Sequence, residues 1–187
     1  VLSASDNSLL AHPHPNAAGE AGEVLVYDCI ALRPVAHVHA HKGPLSALAF
    51  NLDATLLATA SDKGTVIRVF SIPDGNKVVT FRRGASSAAI SCLSFSTDSA
   101  LLAVASNHPT IHIFKVPPAA APASPVNGSG VSAYLPSMLG DMWEAGERDW
   151  ASAKLPNSCA SICAFSPGNK LLYVMTEEGL FYHFLIP

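Results

Sequence analysis

The sequence predicts an all-β protein, a β-propeller of four-stranded blades, and an internal repeat carries this prediction. The segment Leu56–Asp62 recurs as Leu101–Asn107 and, more weakly, as Leu171–Glu177. Each copy follows an apolar strand that ends in Phe and precedes a second strand that ends in Phe, and the first two copies are 45 residues apart. A period of about 40–45 residues with four short strands per unit is typical of propeller blades.

The repeat divides the chain into about three and a half units, fewer than the ~4–8 blades of a closed propeller. Residues 8–42 form the end of one blade, 43–84 a complete blade, 88–156 a blade with a long inserted loop at 117–149, and 158–187 a last partial blade. We therefore expect part of a larger propeller. The predicted strands, in chain order, are Ser8–Ala11, Glu23–Tyr27, Val35–His39, Leu45–Phe50, Leu56–Ala60, Thr65–Phe70, Lys77–Arg83, Ile90–Phe95, Leu101–Ala105, Thr110–Lys115, Trp150–Leu155, Ala160–Phe165, Leu171–Met175 and Leu180–Leu185.

The inserted loop has two halves of different character. Residues 117–130 are rich in Pro, Ala, Gly and Ser, a composition typical of disorder. The second half has apolar residues at i, i+3, i+4 and i+7, the spacing of a short amphipathic helix. Such a face could insert into a bilayer interface, or fold back onto the propeller or dock a protein, and it lacks the basic polar face of most interfacial helices. The residues of this membrane-insertion hypothesis are Tyr134, Leu135, Met138, Leu139, Met142 and Trp143.

Composition and charge narrow the possible classes of protein. The chain is 49% hydrophobic and 13% charged, enough apolar residues to bury a core. Its apolar runs are far shorter than the roughly 20 residues of a membrane-spanning helix, and no basic-then-apolar leader opens it, so we expect neither a span nor a secretory signal.

The net charge of −3 conceals a local excess of positive charge. Between Lys42 and Arg83 there are six basic and three acidic residues, a net of +3, whereas the remainder carries a net of −6. A nucleic-acid-binding protein would be basic more broadly, and we expect no nucleic-acid partner. The positive field indicates a localised anion site.

The four cysteines show no CxxC spacing and lie far apart or within apolar strands. They are expected to be small buried hydrophobic residues in a reducing compartment, with neither a disulfide framework nor a zinc site.

The histidines raise the question of a metal site. His37, His39 and His41 alternate, so that one strand face could present all three. No acidic or Cys partner is nearby, and we expect no metal site. His12 and His14 are expected in a solvated loop.

No constellation of catalytic residues stands out in the sequence. It contains no nucleophile elbow, no phosphate-binding P-loop and no dinucleotide fingerprint. We expect neither an enzyme nor a bound cofactor.

Two adjacent arginines, Arg82 and Arg83, close an otherwise apolar strand. Side chains on a strand alternate, so the two guanidinium groups are predicted on opposite faces of the sheet. Arginine is seldom buried without a partner and is shaped to fork onto phosphate oxygens. An exposed edge strand with ordinary surface ion pairs is the alternative interpretation.

The segment Leu56–Phe70, followed by Phe81-Arg82-Arg83-Gly84, resembles the PROPPIN family. The resemblance extends over nearly the whole chain and includes Ala40-His41-Lys42, the long insertion and the closing Gly179–Tyr182 run. It implies a seven-bladed propeller of WD-repeat type that binds phosphatidylinositol 3-phosphate and 3,5-bisphosphate and acts in autophagosome formation.

The resemblance also implies two phosphoinositide sites, one on each side of the arginine strand. The second site departs from the family pattern, because Pro109 replaces the usual Gly, removes a backbone donor and fixes φ. The first site would contain Arg82 with His41, Ser61, Lys63, Thr65 and Arg68. The second would contain Arg83 with Ser86, Ser106, Thr110 and His112.

These expectations together describe a peripheral membrane protein of the cytoplasm. Its partners would be phosphoinositide membranes and other autophagy proteins, at preautophagosomal, endosomal or vacuolar/lysosomal membranes. The rival hypothesis is a propeller scaffold that binds proteins without lipid. A third hypothesis is that the basic segment Lys42–Arg83 binds a nucleic acid, but it is weaker because the rest of the chain carries a net negative charge.

Overall fold

The computed structural model describes residues 1–14, 22–118 and 146–187, which form fourteen strands in four antiparallel sheets. The Tyr134–Trp143 hypothesis falls outside these residues. The first sheet contains β1 (Leu9–Pro13), β2 (Gly22–Asp28) and β3 (Arg33–His41), and the second contains β4 (Leu45–Phe50), β5 (Leu56–Ser61), β6 (Val66–Ser71) and β7 (Lys77–Arg82). The third sheet contains β8 (Ile90–Phe95), β9 (Leu101–Ser106), β10 (Thr110–Lys115) and β11 (Ala151–Lys154). The fourth sheet contains β12 (Ser161–Phe165), β13 (Leu171–Thr176) and β14 (Phe181–Leu185).

In every sheet, strands adjacent in sequence pair side by side, as in propeller blades. The predicted fold class is confirmed, with two four-stranded and two three-stranded sheets in the described residues. Three predicted strands agree with the structure at both ends, β4, β8 and β10. The largest difference is β3, which extends two residues beyond its prediction at each end.

The same hairpin loop recurs in the second, third and fourth sheets and accompanies the sequence repeat. In each sheet it connects the first two strands. In each loop a side-chain oxygen accepts the backbone N–H of the residue five positions later, and a non-glycine residue takes a positive φ. The acceptors are Asn51, Ser96 and Ser166, at 2.8, 2.9 and 3.0 Å. The positive-φ residues are Ala54, Ser99 and Asn169.

The sheets pack face to face, and each of three apolar clusters draws on two neighbouring sheets. Leu57 joins the cluster with the first sheet, whereas its neighbour Ala58 joins the cluster with the third. Strands β5 and β9 are buried at every residue. A strand that is covered on both faces does not alternate between apolar and polar residues, which explains why the repeated segment is a continuous apolar run.

An aromatic contact between β7 and β10 belongs to the apolar cluster shared by the second and third sheets. Phe81 and Phe114 are fully buried, and their rings stack with centroids 4.6 Å apart. Phe81 directly precedes Arg82, so this contact fixes the end of β7, where Arg82 lies.

The cysteines differ in part from the expectation. Cys29 is exposed, so its assignment to the interior was wrong, and Cys159 and Cys163 are buried. Cys92 and Cys163 meet across the third and fourth sheets, where the Cys163 N–H points at Cys92 Sγ at 3.5 Å. Hydrogen bonding with the Cys163 thiol, the largest effect, lowers the pKa of Cys92 to about 7.

No helix in the described part of the chain has the length and hydropathy needed to cross a bilayer.

Replacing Phe81 with Ala should lower the free energy of unfolding by about 3–5 kcal/mol, because it leaves a cavity between two sheets and removes the ring contact with Phe114. Urea unfolding followed by circular dichroism measures this loss. Phe81→Leu keeps most of the buried volume and should cost clearly less. Equal stability of Phe81→Ala and the wild type would show that this contact does not join the sheets.

Candidate functional site

An open cleft of about 720 Å³ lies between the end of β3 and the sheet β4–β7. Five of the six residues predicted for the first site line it: His41, Ser61, Lys63, Thr65 and Arg68. Ser61, Lys63, Thr65 and Arg68 lie along the β5–β6 hairpin of the second sheet, whereas His41 ends β3 of the first sheet.

The charge of the cleft is one-sided. Lys42, Lys63, Arg68 and Lys77 line it, and none of its described lining residues is Asp or Glu. Asp62 precedes Lys63 but accepts the Lys63 backbone N–H at 2.8 Å and is not part of the lining. Sequence reasoning missed Lys42 and Lys77 as site residues, although both belong to the basic segment that signals an anion site.

A hydrogen-bonded network holds Arg68 in the cleft. Its Nη1 donates to the Ala40 carbonyl at 2.8 Å and contacts His41 Nδ1 at 3.0 Å. Thr59 Oγ1 donates to the Arg68 carbonyl at 3.2 Å and contacts His41 Nε2 at 2.9 Å. Because the Thr59 hydrogen is used, His41 Nε2 donates to Thr59 and Nδ1 accepts from Arg68, which assigns the Nε2–H tautomer. The guanidinium is therefore positioned before any ligand arrives.

A bulge in β3 turns His41 toward the cleft. Gly22 pairs with His41 and Glu23 with His39, so β3 has one extra residue at this point. A bulge reverses the alternation of side chains, and His41 leaves the face that carries His37 and His39. The expectation that one strand face could present all three was wrong.

The other expectations for the histidines also need correction. Glu23 lies 3.0 Å from His37 and 2.9 Å from His39, so these residues do have an acidic neighbour. His12 lies within β1 rather than in a loop, and the His14 backbone N–H donates to the Glu23 carbonyl at 2.9 Å.

The register of β7 sets the face on which Arg82 lies. Arg82 is the cross-strand partner of Val66, and cross-strand partners share a face. Arg82 therefore lies on the face of Val66 and Arg68, beside the cleft though not among its lining residues. Phe81 points to the opposite face, toward Phe114. Arg83 follows the end of β7, so its placement on the face opposite Arg82 stays a prediction.

The chain returning from the long insertion covers the outer edge of β7. Glu147 forms a parallel bridge with Phe81, and the Arg82 N–H donates to the Glu147 carbonyl at 2.8 Å. The Glu147 N–H donates to the Thr80 carbonyl at 2.9 Å. Gly146 lies so close to Arg82 that an added Cβ would meet the Arg82 backbone nitrogen at 2.9 Å. No pattern in the sequence predicts this contact.

Arg83 is buried and is bound by backbone carbonyls. Its Nε donates to the Gly64 carbonyl at 2.6 Å, and its Nη2 donates to the Ser86 carbonyl. Its 8% exposure and the resulting desolvation lower the pKa of Arg83 from its usual value. The side chain thereby joins the β5–β6 turn to the loop that follows β7.

The remaining residues predicted for the second site have separate contacts. Ser106 is buried, and its Oγ accepts the His108 backbone N–H at 3.2 Å. Thr110 begins β10 and is partly buried. His112 Nδ1 lies 3.0 Å from Asp149 Oδ2. Their assembly with Arg83 around one ligand stays a prediction.

Gly64 lies between the cleft residues Lys63 and Thr65, and its carbonyl accepts the hydrogen bond from Arg83. Its φ is +57°, and a Cβ would collide with the Ala88 carbonyl and meet the Ile90 side chain at 3.1 Å. Gly64→Ala should therefore destabilise the chain by at least about 1–2 kcal/mol, the usual cost of a left-handed conformation without glycine.

Gly84 is the matched control, since nothing lies within 4 Å of a Cβ added there. Gly84→Ala should change the free energy of unfolding by less than about 0.5 kcal/mol. Urea unfolding measures both variants, and equal losses at the two positions would contradict this description of the turn.

Comparison with known proteins identifies the family. A family model described as PROPPIN matches residues 2–186. The chain is 39% identical over 204 residues to autophagy-related protein 18 of Dictyostelium discoideum, with 98% of this chain and 54% of that protein covered. It is 40% identical over 193 residues to WD repeat domain phosphoinositide-interacting protein 2 of Mus musculus, with 95% of this chain and 42% of that protein covered. The chain thus spans about half the length of these relatives, and neither name denotes an enzyme.

Solved structures agree with the fold. In the complex of KlAtg21 with the coiled-coil of AgAtg16, the matching chain has a TM-score of 0.76 and 25% identity, over 100% of this chain and 52% of that chain. Kluyveromyces lactis Hsv2p matches with a TM-score of 0.64 and 24% identity, over 98% of this chain and 58% of that chain. The sheet topology and the match over nearly every residue lead to one conclusion: the chain belongs to the PROPPIN family.

Proposed function

We propose that this chain is part of a phosphoinositide-binding peripheral membrane protein that acts in autophagosome formation. Its ligands are phosphatidylinositol 3-phosphate and 3,5-bisphosphate, bound at two sites flanking the Phe81–Gly84 segment. The cleft carries the proposal, because Lys42, Lys63, Arg68 and Lys77 line it together with Ser61 and Thr65. Such a combination of cationic and hydroxyl donors suits a phosphorylated headgroup.

The first site is the better prepared of the two. Arg68 is already oriented by the Ala40 carbonyl and His41, so less side-chain entropy is lost when it meets a phosphate. Lys63, Ser61 and Thr65 supply an ammonium group and two hydroxyl groups on the same wall. Arg82, beside the cleft, adds a second guanidinium at its rim.

The second site uses the opposite face and is proposed to be weaker. The two carbonyl contacts of Arg83 engage its Nε and Nη2, and a guanidinium has five N–H donors, so donors remain for a phosphate. Asp149, however, lies 3.0 Å from His112, and its carboxylate opposes an approaching anion. Pro109 also lacks the backbone N–H that a glycine would offer there.

Two modest sites on one surface reinforce each other, because the second binding event is intramolecular once the first has occurred. Insertion of the Tyr134–Trp143 segment into the bilayer would add to this attachment. Recruitment of other autophagy proteins belongs to the same proposal, supported by the complex of the related KlAtg21 with a coiled-coil. The proposed locations are preautophagosomal, endosomal and vacuolar/lysosomal membranes.

Liposome flotation with phosphatidylinositol 3-phosphate tests this function. Arg82→Thr and Arg83→Thr should each weaken binding roughly tenfold or more, since a hydrogen bond to a charged group contributes about 1.5–3 kcal/mol. The double variant should lose flotation altogether, and neither single variant should match it.

Arg33→Thr is the control for loss of one positive charge, because Arg33 is exposed at the start of β3. It should float like the wild type. Vesicles with equal charge from phosphatidylserine separate headgroup recognition from general attraction, and an unfolding curve of Arg83→Thr separates lost binding from lost stability. Wild-type protein that ignores the 3-phosphate lipid, or a double variant that still floats, overturns the proposal and favours the protein-only scaffold.

A further inference from the structure

The geometry points to a metal site on the first sheet, made by residues that do not line the cleft, although the neighbouring His39 does. We propose that His14, Glu23 and His37 bind one divalent transition-metal ion of the zinc class. His39 holds the Glu23 carboxylate in position. The proposal is independent of lipid binding.

Strand pairing brings these residues together from three places in the sequence. Leu25 pairs with His37 and Glu23 with His39, so both histidines lie on the face of Glu23. His14 follows β1 and donates its backbone N–H to the Glu23 carbonyl at 2.9 Å, which places it in the same row. The opposite face of this sheet packs into an apolar cluster with the second sheet, so the ligands stand on a rigid support.

The donor atoms converge on the carboxylate. Glu23 Oε2 lies 3.0 Å from His37 Nε2 and 3.9 Å from His14 Nδ1. The ligand atoms of His14, Glu23 and His37 all lie within 4.8 Å of one another. Ligands of a tetrahedral zinc ion, at about 2.0–2.1 Å from the metal, are about 3.3 Å apart, so small side-chain rotations would complete the site.

The set of donors has the chemistry of a zinc-class site. Two imidazole nitrogens with one carboxylate oxygen suit Zn²⁺ or Cu²⁺ better than Mg²⁺ or Ca²⁺, which prefer oxygen ligands. His39 Nδ1 contacts the other carboxylate oxygen, Glu23 Oε1, at 2.9 Å. Such outer contacts orient metal ligands. Glu23 is largely shielded, with 15% side-chain exposure, while His14 and His37 keep 32% and 44% and remain open to an entering ion.

Isothermal titration of Zn²⁺ into the chelator-treated chain tests the proposal. We expect one ion per chain. His37→Ala and Glu23→Gln should abolish this binding, and His39→Ala should weaken it by about 10–100-fold, as for other residues that orient a ligand. His183→Ala is the matched control, since His183 is an exposed strand histidine of the fourth sheet, and should change affinity by less than about twofold.

Cobalt absorption distinguishes this site from the free cysteines. Co²⁺ at the proposed site should give the weak bands of nitrogen and oxygen ligands without the strong thiolate charge-transfer band that cysteine ligation would add. Circular dichroism verifies that each variant is folded. Absence of a bound ion in the wild type, a thiolate band, or unchanged affinity in folded His37→Ala and Glu23→Gln would show that the cluster is only a hydrogen-bonded His–Glu network.

Discussion

The antiparallel register between β6 and β7 is the constraint on which the proposed site depends. It sets Arg82 opposite Val66, on the cleft face with Arg68, while Phe81 points the other way into the interface with Phe114. A shift of one residue would exchange these faces and bury a guanidinium where the aromatic ring now packs. The apolar contact of Phe81 thus fixes the direction of Arg82, so the proposed anion recognition depends on the packing between the second and third sheets.

Most of the fold could be predicted because each sheet repeats the same local rules. Strands buried on both faces are continuous runs of mainly apolar residues, as at Leu56–Ser61 and Leu101–Ser106. An Asn or Ser in the hairpin loop before each of these strands accepts a backbone hydrogen bond from its first residue and so marks where the strand begins. The first-site residues were also predictable, since the basic excess and the family motif both point to them. Lys42 and Lys77 were missed because only the folded sheet shows which basic residues of a segment face the same cleft.

The remaining features depend on contacts between segments that sequence patterns do not encode. The β3 bulge, which separates His41 from His39, follows from pairing with Gly22 and leaves no trace in the alternation of histidines. The acidic neighbour of those histidines, Glu23, lies on a different strand. Arg83 has the same sequence pattern as Arg82, yet two backbone carbonyls hold its side chain, so it also supports the loop after β7.

We propose that two arginines, adjacent in sequence, serve two separate anion sites. Calorimetric titration with the water-soluble headgroup of phosphatidylinositol 3-phosphate tests it most directly, because it counts sites without a membrane. We expect two headgroups per wild-type chain, and one for each of folded Arg82→Thr and Arg83→Thr, with the tighter binding event lost in the Arg82 variant. A single headgroup on the wild type, or loss of both events through one substitution, would contradict it.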